Sequence, residues 1–158
     1  MAGKALIICV SVSQGNTAAV ARAMAAALGA EVKEPEQVDP ESLDEYDVVG
    51  FGSGIYYMTD HPRLRRFIEQ LPDVDGTRAF VFSTSGQGSS QRRPWQQPLE
   101  SLLRDKGYDV VGSFACKGWD LWLPLKLVGG LNQGHPDSTD LTNAYEFAER
   151  IAARVPVG

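Results

Sequence analysis

The chain has 158 residues, of which 43% are hydrophobic and 22% charged, and this composition is typical of one globular domain with a hydrophobic core. The net charge of −5 argues against nucleic acid as a partner. No apolar run approaches the roughly 18 residues of a membrane helix, and the N-terminal residues do not resemble a signal peptide. We therefore expect a single domain over residues 1–158 that is cytoplasmic and has no membrane insertion.

Apolar runs alternate with helix-like segments along the chain. The predicted strands are Ala5–Val10, a weak Glu31–Lys33, Tyr46–Gly52, Thr77–Ser83 and Tyr108–Ala115. The predicted helices are Thr17–Leu28 and three segments that start near Pro62, near Pro94 or Trp95, and near Asp137. The strongest strands have apolar centres, which is typical of a parallel sheet buried on both faces. The alternation predicts an α/β fold with a doubly wound parallel sheet.

A turn rich in hydroxyl and amide groups joins the first strand to the first helix. It consists of Ser11, Val12, Ser13, Gln14, Gly15, Asn16 and Thr17. The free N–H groups of a first helical turn, together with the helix dipole, favour a bound anion such as phosphate. The turn has no lysine, which excludes a Walker A loop. Cys9 lies inside the strand rather than in the turn, so we expect a buried apolar residue there and no cysteine nucleophile.

Two later loops are predicted to lie beside this turn, because ligands of doubly wound sheets bind beyond the carboxyl ends of the strands. The loop after the third strand contains Ser53, Gly54, Ile55, Tyr56 and Tyr57. The loop after the fourth strand contains Thr84, Ser85, Gly86, Gln87 and Gly88. Glycines, hydroxyls and aromatic rings of this kind suit a planar ring with a polar edge. Neither cysteine and neither histidine has companions at metal-ligand spacing, so we expect no metal site.

These three loops, in this order and spacing, resemble those of the flavodoxin family. The resemblance covers nearly the whole chain and implies a flavodoxin-like fold of three layers, with strand order 2-1-3-4-5 and non-covalent FMN. By position, residues 11–17 would surround the phosphate, residues 53–57 would line one face and the N5 edge of the isoalloxazine, and residues 84–88 would contact its pyrimidine end. No catalytic residue is implied. Val12 departs from the pattern, since many flavodoxins have a hydroxyl there.

The resemblance implies a low-potential electron carrier whose partners are redox proteins, a reductase and an acceptor. Two alternatives stay open at this point. One is an FMN-dependent oxidoreductase, such as a quinone reductase or a protoporphyrinogen oxidase-like protein, and the other is a flavodoxin-like interaction domain without flavin. The long apolar connection of residues 117–135 looks like an extended loop after strand five that marks a subgroup. It would close a small core of its own, form a partner or homodimer surface, or cover the flavin.

Overall fold

The structure is a computed structural model that describes residues 4–10, 16–56, 59–60, 62–85, 97–117 and 138–154. Its strands are β1 (Ala5–Val10), β2 (Glu31–Lys33), β3 (Val48–Tyr56), β4 (Thr59–Asp60), β5 (Arg78–Ser85) and β6 (Asp109–Lys117). Its α-helices are α1 (Asn16–Leu28), α2 (Pro62–Glu69), α3 (Gln97–Asp105) and α4 (Ser138–Arg154). No helix in these ranges is long and apolar enough to cross a membrane.

Five strands form a parallel sheet in the order β2-β1-β3-β5-β6. The two-residue strand β4 lies outside this series and pairs antiparallel with the end of β3. With β4 set aside, the order is the predicted 2-1-3-4-5, so the doubly wound flavodoxin-like fold is confirmed. Strand β1 lies between β2 and β3, and both of its faces are covered by helices.

The helices bury the sheet between two separate apolar clusters. On one face, Ile7 and Cys9 of β1 pack with residues of α1, β5, β6 and α4. On the other face, Ile8 and Val10 pack with residues of α2, α3 and β5. Successive residues of a strand point to opposite faces, so a strand that is apolar throughout feeds both clusters. This arrangement gives the predicted three layers.

Glycines on β3 allow the phenylalanines of β5 to lie flat against the sheet. A Cβ atom at Gly50 would overlap the ring of Phe80, and one at Gly52 would overlap the ring of Phe82. The two rings lie 6.1 Å apart between centroids, and Phe80 contacts Phe147 of α4 edge to face at 5.8 Å. The close approach of these rings to the backbone therefore depends on glycine at both positions of β3.

A β-bulge interrupts the pairing of β6 with β5 near its start. Ala79 pairs with Val110 and Phe80 with Gly112, so Val111 is the extra residue on β6. The guanidinium of Arg154, at the end of α4, donates a 2.7 Å hydrogen bond to the Val111 carbonyl oxygen. The last helix is thereby connected to the edge strand as well as packed on the sheet.

Two segments differ from the sequence prediction. The acidic connection from Pro35 to Glu45 contains two 3-10 helices, Pro35–Gln37 and Pro40–Glu45, each of which begins at a proline. The Asp39 side chain accepts a hydrogen bond from the Glu41 backbone N–H, which caps the second of them. The other difference is that β3 continues to Tyr56, so the expected loop after it begins as extended strand paired with β4.

Candidate functional site

The carboxyl ends of β1, β3, β5 and β6 lie side by side at one edge of the sheet. Val10 pairs with Ser53, and Ser53 pairs with Ser83. One residue further along, Gly54 pairs with Thr84, and Thr84 pairs with Cys116. The chain segments that follow β1, β3 and β5 therefore leave the sheet from neighbouring positions, as expected for the three predicted loops.

Hydroxyl side chains occupy this edge on both faces of the sheet. Ser53 and Ser83 follow the buried residues Phe51 and Val81 by two positions, so they lie on the face covered by α2 and α3. Thr84 follows Phe82 by two positions and lies on the face covered by α1 and α4. All three side chains are buried. Buried hydroxyl groups need hydrogen-bond partners, so the clustering of three of them near the ends of two adjacent strands indicates a polar site at this edge.

Thr17 meets Thr84 at the start of α1. Their Oγ1 atoms are 2.8 Å apart, and either of them can be the donor. The side chains are 3% and 5% exposed, respectively. A predicted residue of the first turn and a predicted residue of the loop after β5 are thus in direct contact.

Helix α1 begins at Asn16, and its first turn contains no acidic residue. The N–H groups at the start of a helix lack partners within the helix and carry the positive end of its dipole. Since the first turn has no carboxylate that could accept hydrogen bonds from these N–H groups, they are suited to binding an anion. The start of α1 lies at the same sheet edge as the hydroxyl groups, because Thr17 touches Thr84 there.

The side chain of Ser53 forms a hydrogen bond with the backbone of the next residue. Its Oγ donates a 3.0 Å hydrogen bond to the carbonyl oxygen of Gly54. Ser53 is 1% exposed, whereas Gly54 is half-buried. The side chain therefore helps to orient the peptide group that follows Gly54.

The thiol of Cys9 lies one residue before the end of β1 and is buried. Burial raises its pKa to about 12, with a smaller contribution from the negative charge of Glu34. A thiol with this pKa stays protonated at neutral pH and is a poor nucleophile. The expectation that Cys9 acts as a small buried apolar residue is confirmed. Across the described ranges, no group of three metal-binding side chains occurs.

A second concave surface lies between α2 and the two 3-10 helices. This groove of about 450 Å³ contains Arg63, Arg66 and Phe67 on the α2 side. Arg63 donates hydrogen bonds to Glu36 and, at 3.3 Å, to Glu34. Its charge is therefore neutralised by carboxylates, and the groove contains none of the strand-end hydroxyl groups.

Several predicted site residues lie outside the described residues. These are Ser11, Val12, Ser13, Gln14, Gly15, Tyr57, Gly86, Gln87 and Gly88. The loop of residues 117–135 is outside them as well, apart from Lys117 at the end of β6. For Asn16, Ile55, Tyr56 and Ser85, the backbone is placed in α1, β3 and β5. The assignment of all these residues to a binding site stays a prediction.

Sequence reasoning missed two features of this edge. One is β4, whose residues pair with the end of β3: Ile55 with Asp60 and Tyr56 with Thr59. The β-branched and aromatic residues in this stretch favour strand, which was the available signal. The other is the contact of Thr17 with Thr84, for which residues 67 positions apart offer no signal in a single sequence.

Comparison with known proteins gives a consistent family and fold. A family model described as a flavodoxin domain matches residues 7–119. An uncharacterized protein of Methanocaldococcus jannaschii is 36% identical over 148 residues, which cover 94% of this chain and 97% of that protein.

Solved structures of flavodoxins share the fold. A flavodoxin from the domain Archaea superposes with a TM-score of 0.71 at 18% identity, covering 96% of this chain and 97% of its own. Oxidised flavodoxin 2 from Bacillus cereus superposes with a TM-score of 0.70 at 19% identity, covering 96% of this chain and 99% of its own. At these sequence identities, the similarity to the two structures is evidence for the fold alone.

Proposed function

The chain belongs to the flavodoxin-domain family, and from this we propose that it is an FMN-binding flavodoxin, a low-potential electron carrier between redox proteins. The family implies a flavin cofactor. FMN as that flavin, the carrier role and the protein partners are parts of the proposal. The main observation behind it is that buried hydroxyl groups lie beside the start of α1 at one edge of the sheet, where Thr17 contacts Thr84.

The groups at this edge suit the phosphate end of FMN. The hydrogen-bonded pair of Thr17 and Thr84 leaves one hydroxyl proton to donate, and the first turn of α1 provides N–H groups and the positive end of the helix dipole. No carboxylate in that turn repels an anion. Phosphate binding would therefore rest on hydrogen bonds and the helix dipole at this end of α1.

The side chains described at the ends of β1, β3 and β5 suit the binding and orientation of a cofactor. When bound, FMN supplies the redox chemistry. Val10, Ser53, Gly54, Ser83 and Thr84 have no side chain that exchanges a proton near neutral pH, and the Cys9 thiol is held protonated by its pKa of about 12. The residues of this edge bind and orient, and Ser53 fixes the Gly54 carbonyl through its hydrogen bond.

We propose further that this carrier works in the cytoplasm, between a reductase and an acceptor protein. An FMN-dependent oxidoreductase differs from a carrier in having its own small substrate. The net charge of −5 is compatible with partners that present basic surfaces, because complementary charge speeds the encounter of two proteins.

The proposal is tested with the purified chain of 158 residues. The apoprotein is titrated with FMN and with riboflavin while flavin absorbance and fluorescence are followed. We expect one FMN per chain and weaker binding of riboflavin, which lacks the phosphate. We also expect no rapid oxidation of NADH or NADPH until a separate reductase is added.

Each alternative has its own outcome in this experiment. Rapid oxidation of NADH or NADPH by the FMN-loaded protein alone, and faster with a quinone present, would replace the carrier with an FMN-dependent oxidoreductase. A folded chain that binds neither flavin would leave only an interaction domain.

A further inference from the structure

The hydrogen bond of Thr17 with Thr84 joins two segments to which different ends of the cofactor are assigned. Thr17 is the second residue of α1, at the proposed phosphate end, and Thr84 is the last residue but one of β5. The Oγ1 atoms are 2.8 Å apart, and both side chains are at least nine-tenths buried. A fixed contact of this kind couples the position of one segment to that of the other.

We propose that Thr84 is a positioning residue for the phosphate end of the cofactor and acts through the hydroxyl group of Thr17. The inference rests on the proposed function, since it requires a phosphate at the start of α1. It differs from the role implied by sequence position, in which Thr84 contacts the pyrimidine end of the ring.

The direction of the hydrogen bond follows from the number of protons. A threonine hydroxyl has one proton to donate and can accept as well. The charged oxygens of a phosphate group accept hydrogen bonds and donate none. If Thr17 donates to the phosphate, its proton is not available to Thr84, so Thr84 must donate to Thr17. In the bound state the hydrogen bonds would therefore run in one direction, with Thr84 donating to Thr17 and Thr17 donating to the phosphate.

The surroundings of Thr84 strengthen this contact. Phe82 and Phe80 lie on the same face of β5 and belong to the apolar cluster under α1 and α4. Hydrogen bonds in a poorly solvated environment are stronger than in water, and successive bonds polarise one another. A donor on β5 therefore makes the Thr17 hydroxyl a better donor toward an anion and fixes its rotamer.

The test compares FMN with riboflavin, which shares the ring and lacks the phosphate. Dissociation constants are measured by flavin fluorescence for the wild type, Thr84→Val, Thr84→Ser, Thr17→Val and the double variant Thr17→Val/Thr84→Val. We expect Thr84→Val to weaken FMN binding about tenfold, the scale of one buried hydrogen bond. Riboflavin binding should be nearly unchanged, and Thr84→Ser, which keeps the hydroxyl, should bind FMN like the wild type.

The double variant tests whether Thr84 acts through Thr17. In the Thr17→Val background, Thr84→Val should cause little further loss of FMN affinity, because the Thr17 hydroxyl group through which Thr84 acts is already absent. Thr84→Ala provides a second removal of the hydroxyl without added bulk, and urea unfolding of each apoprotein verifies the fold.

The outcomes separate this inference from the proposed function. Equal losses for FMN and riboflavin in Thr84→Val would place its role at the ring and overturn the inference, as would fully additive losses in the double variant. Both results leave an FMN-binding protein in place. A wild type that binds no FMN would instead overturn the proposed function and the inference with it.

Discussion

Tyr108 places a polar atom in an apolar environment. Its side chain is buried in the cluster between the sheet and helices α2 and α3, and its ring meets that of Phe51 edge to face at 6.0 Å. Within the part of the chain that the structure describes, its hydroxyl oxygen has no hydrogen-bond partner. The ring contributes to packing, whereas the hydroxyl group reduces the free energy of unfolding, because a buried group without a partner loses its hydration.

Tyr108→Phe is therefore expected to raise the free energy of unfolding by about 1 kcal/mol, since it removes the buried hydroxyl and keeps the ring. Urea unfolding followed by circular dichroism measures the change. The matched control is Tyr145→Phe on α4, where the side chain is 40% exposed and the hydroxyl stays hydrated. A clear loss of stability in Tyr108→Phe would mean that the hydroxyl has a partner and that this account is wrong.

Strand β3 illustrates, at the scale of an element, how packing fixes residue type. A methyl group at Gly52 would occupy the place of the Phe82 ring. At Gly112 on β6, by contrast, a Cβ atom would come to 3.1 Å from Ile151 Cδ1 and 3.2 Å from the Phe147 ring, which small side-chain shifts can relieve. Two glycines in strands of one sheet thus tolerate substitution differently.

We expect Gly52→Ala to lower the free energy of unfolding by about 2 kcal/mol, the usual scale of overpacking in a core. Gly112→Ala should change it by less than about 1 kcal/mol, since the strain there is small and alanine is favoured over glycine in a strand. Urea unfolding of both variants measures the difference. Adding Phe82→Leu should restore part of the stability of Gly52→Ala, and the absence of any recovery would contradict the proposed overlap.

The strands also show what sequence patterns can and cannot predict. Ala5–Val10 and Glu31–Lys33 have the predicted bounds, the first because it is an unbroken apolar run and the second although it has only Val32 as an apolar residue. The strands β3, β5 and β6 instead run two to four residues beyond their predicted ends. Their last residues include Ser53 and Thr84, which a rule based on apolar residues assigns to loops. These residues pair through their backbone while their hydroxyl groups lie at the candidate site.

For the molecule as a whole, the fold and the location of the site could be predicted, and the internal contacts of the site could not. The order of elements and the turn chemistry near Asn16 identify the edge where strands end. The Thr17–Thr84 and Ser53–Gly54 hydrogen bonds depend on tertiary distances that no local pattern encodes. The family resemblance implies a role for Thr84 at the ring, and the structure adds a contact of its side chain with Thr17 of α1.

Both faces of the sheet bury a group that resists losing its proton. Burial raises the pKa of Cys9 from 9.0 to about 12 on the face of α1 and α4, and that of Tyr108 from 10.0 to about 12 on the face of α2 and α3. In the unfolded chain each group loses its proton at the lower pH. The protonated folded state is fully favoured below the unfolded pKa values, and this advantage is lost as pH rises toward 12.

We therefore expect the free energy of unfolding to fall steadily between about pH 9 and about pH 12. Urea unfolding at several pH values in this range measures the slope. The double variant Cys9→Ala/Tyr108→Phe should have a shallower slope than the wild type, whatever its stability at neutral pH. An identical slope in the two proteins would assign the alkaline loss of stability to other groups.

The place of β1 between β2 and β3 has a consequence during synthesis of the chain. Strands β2, β1 and β3 are neighbours in the sheet, so the first 56 residues already contain a three-stranded parallel sheet. Thr84, which contacts the start of α1, is made later, and α4, which packs on α1, is made last. At about 5–20 residues per second, a nascent chain spends several seconds with Thr17 translated and its partner on β5 still missing. The Thr17–Thr84 hydrogen bond therefore cannot form until β5 has been made.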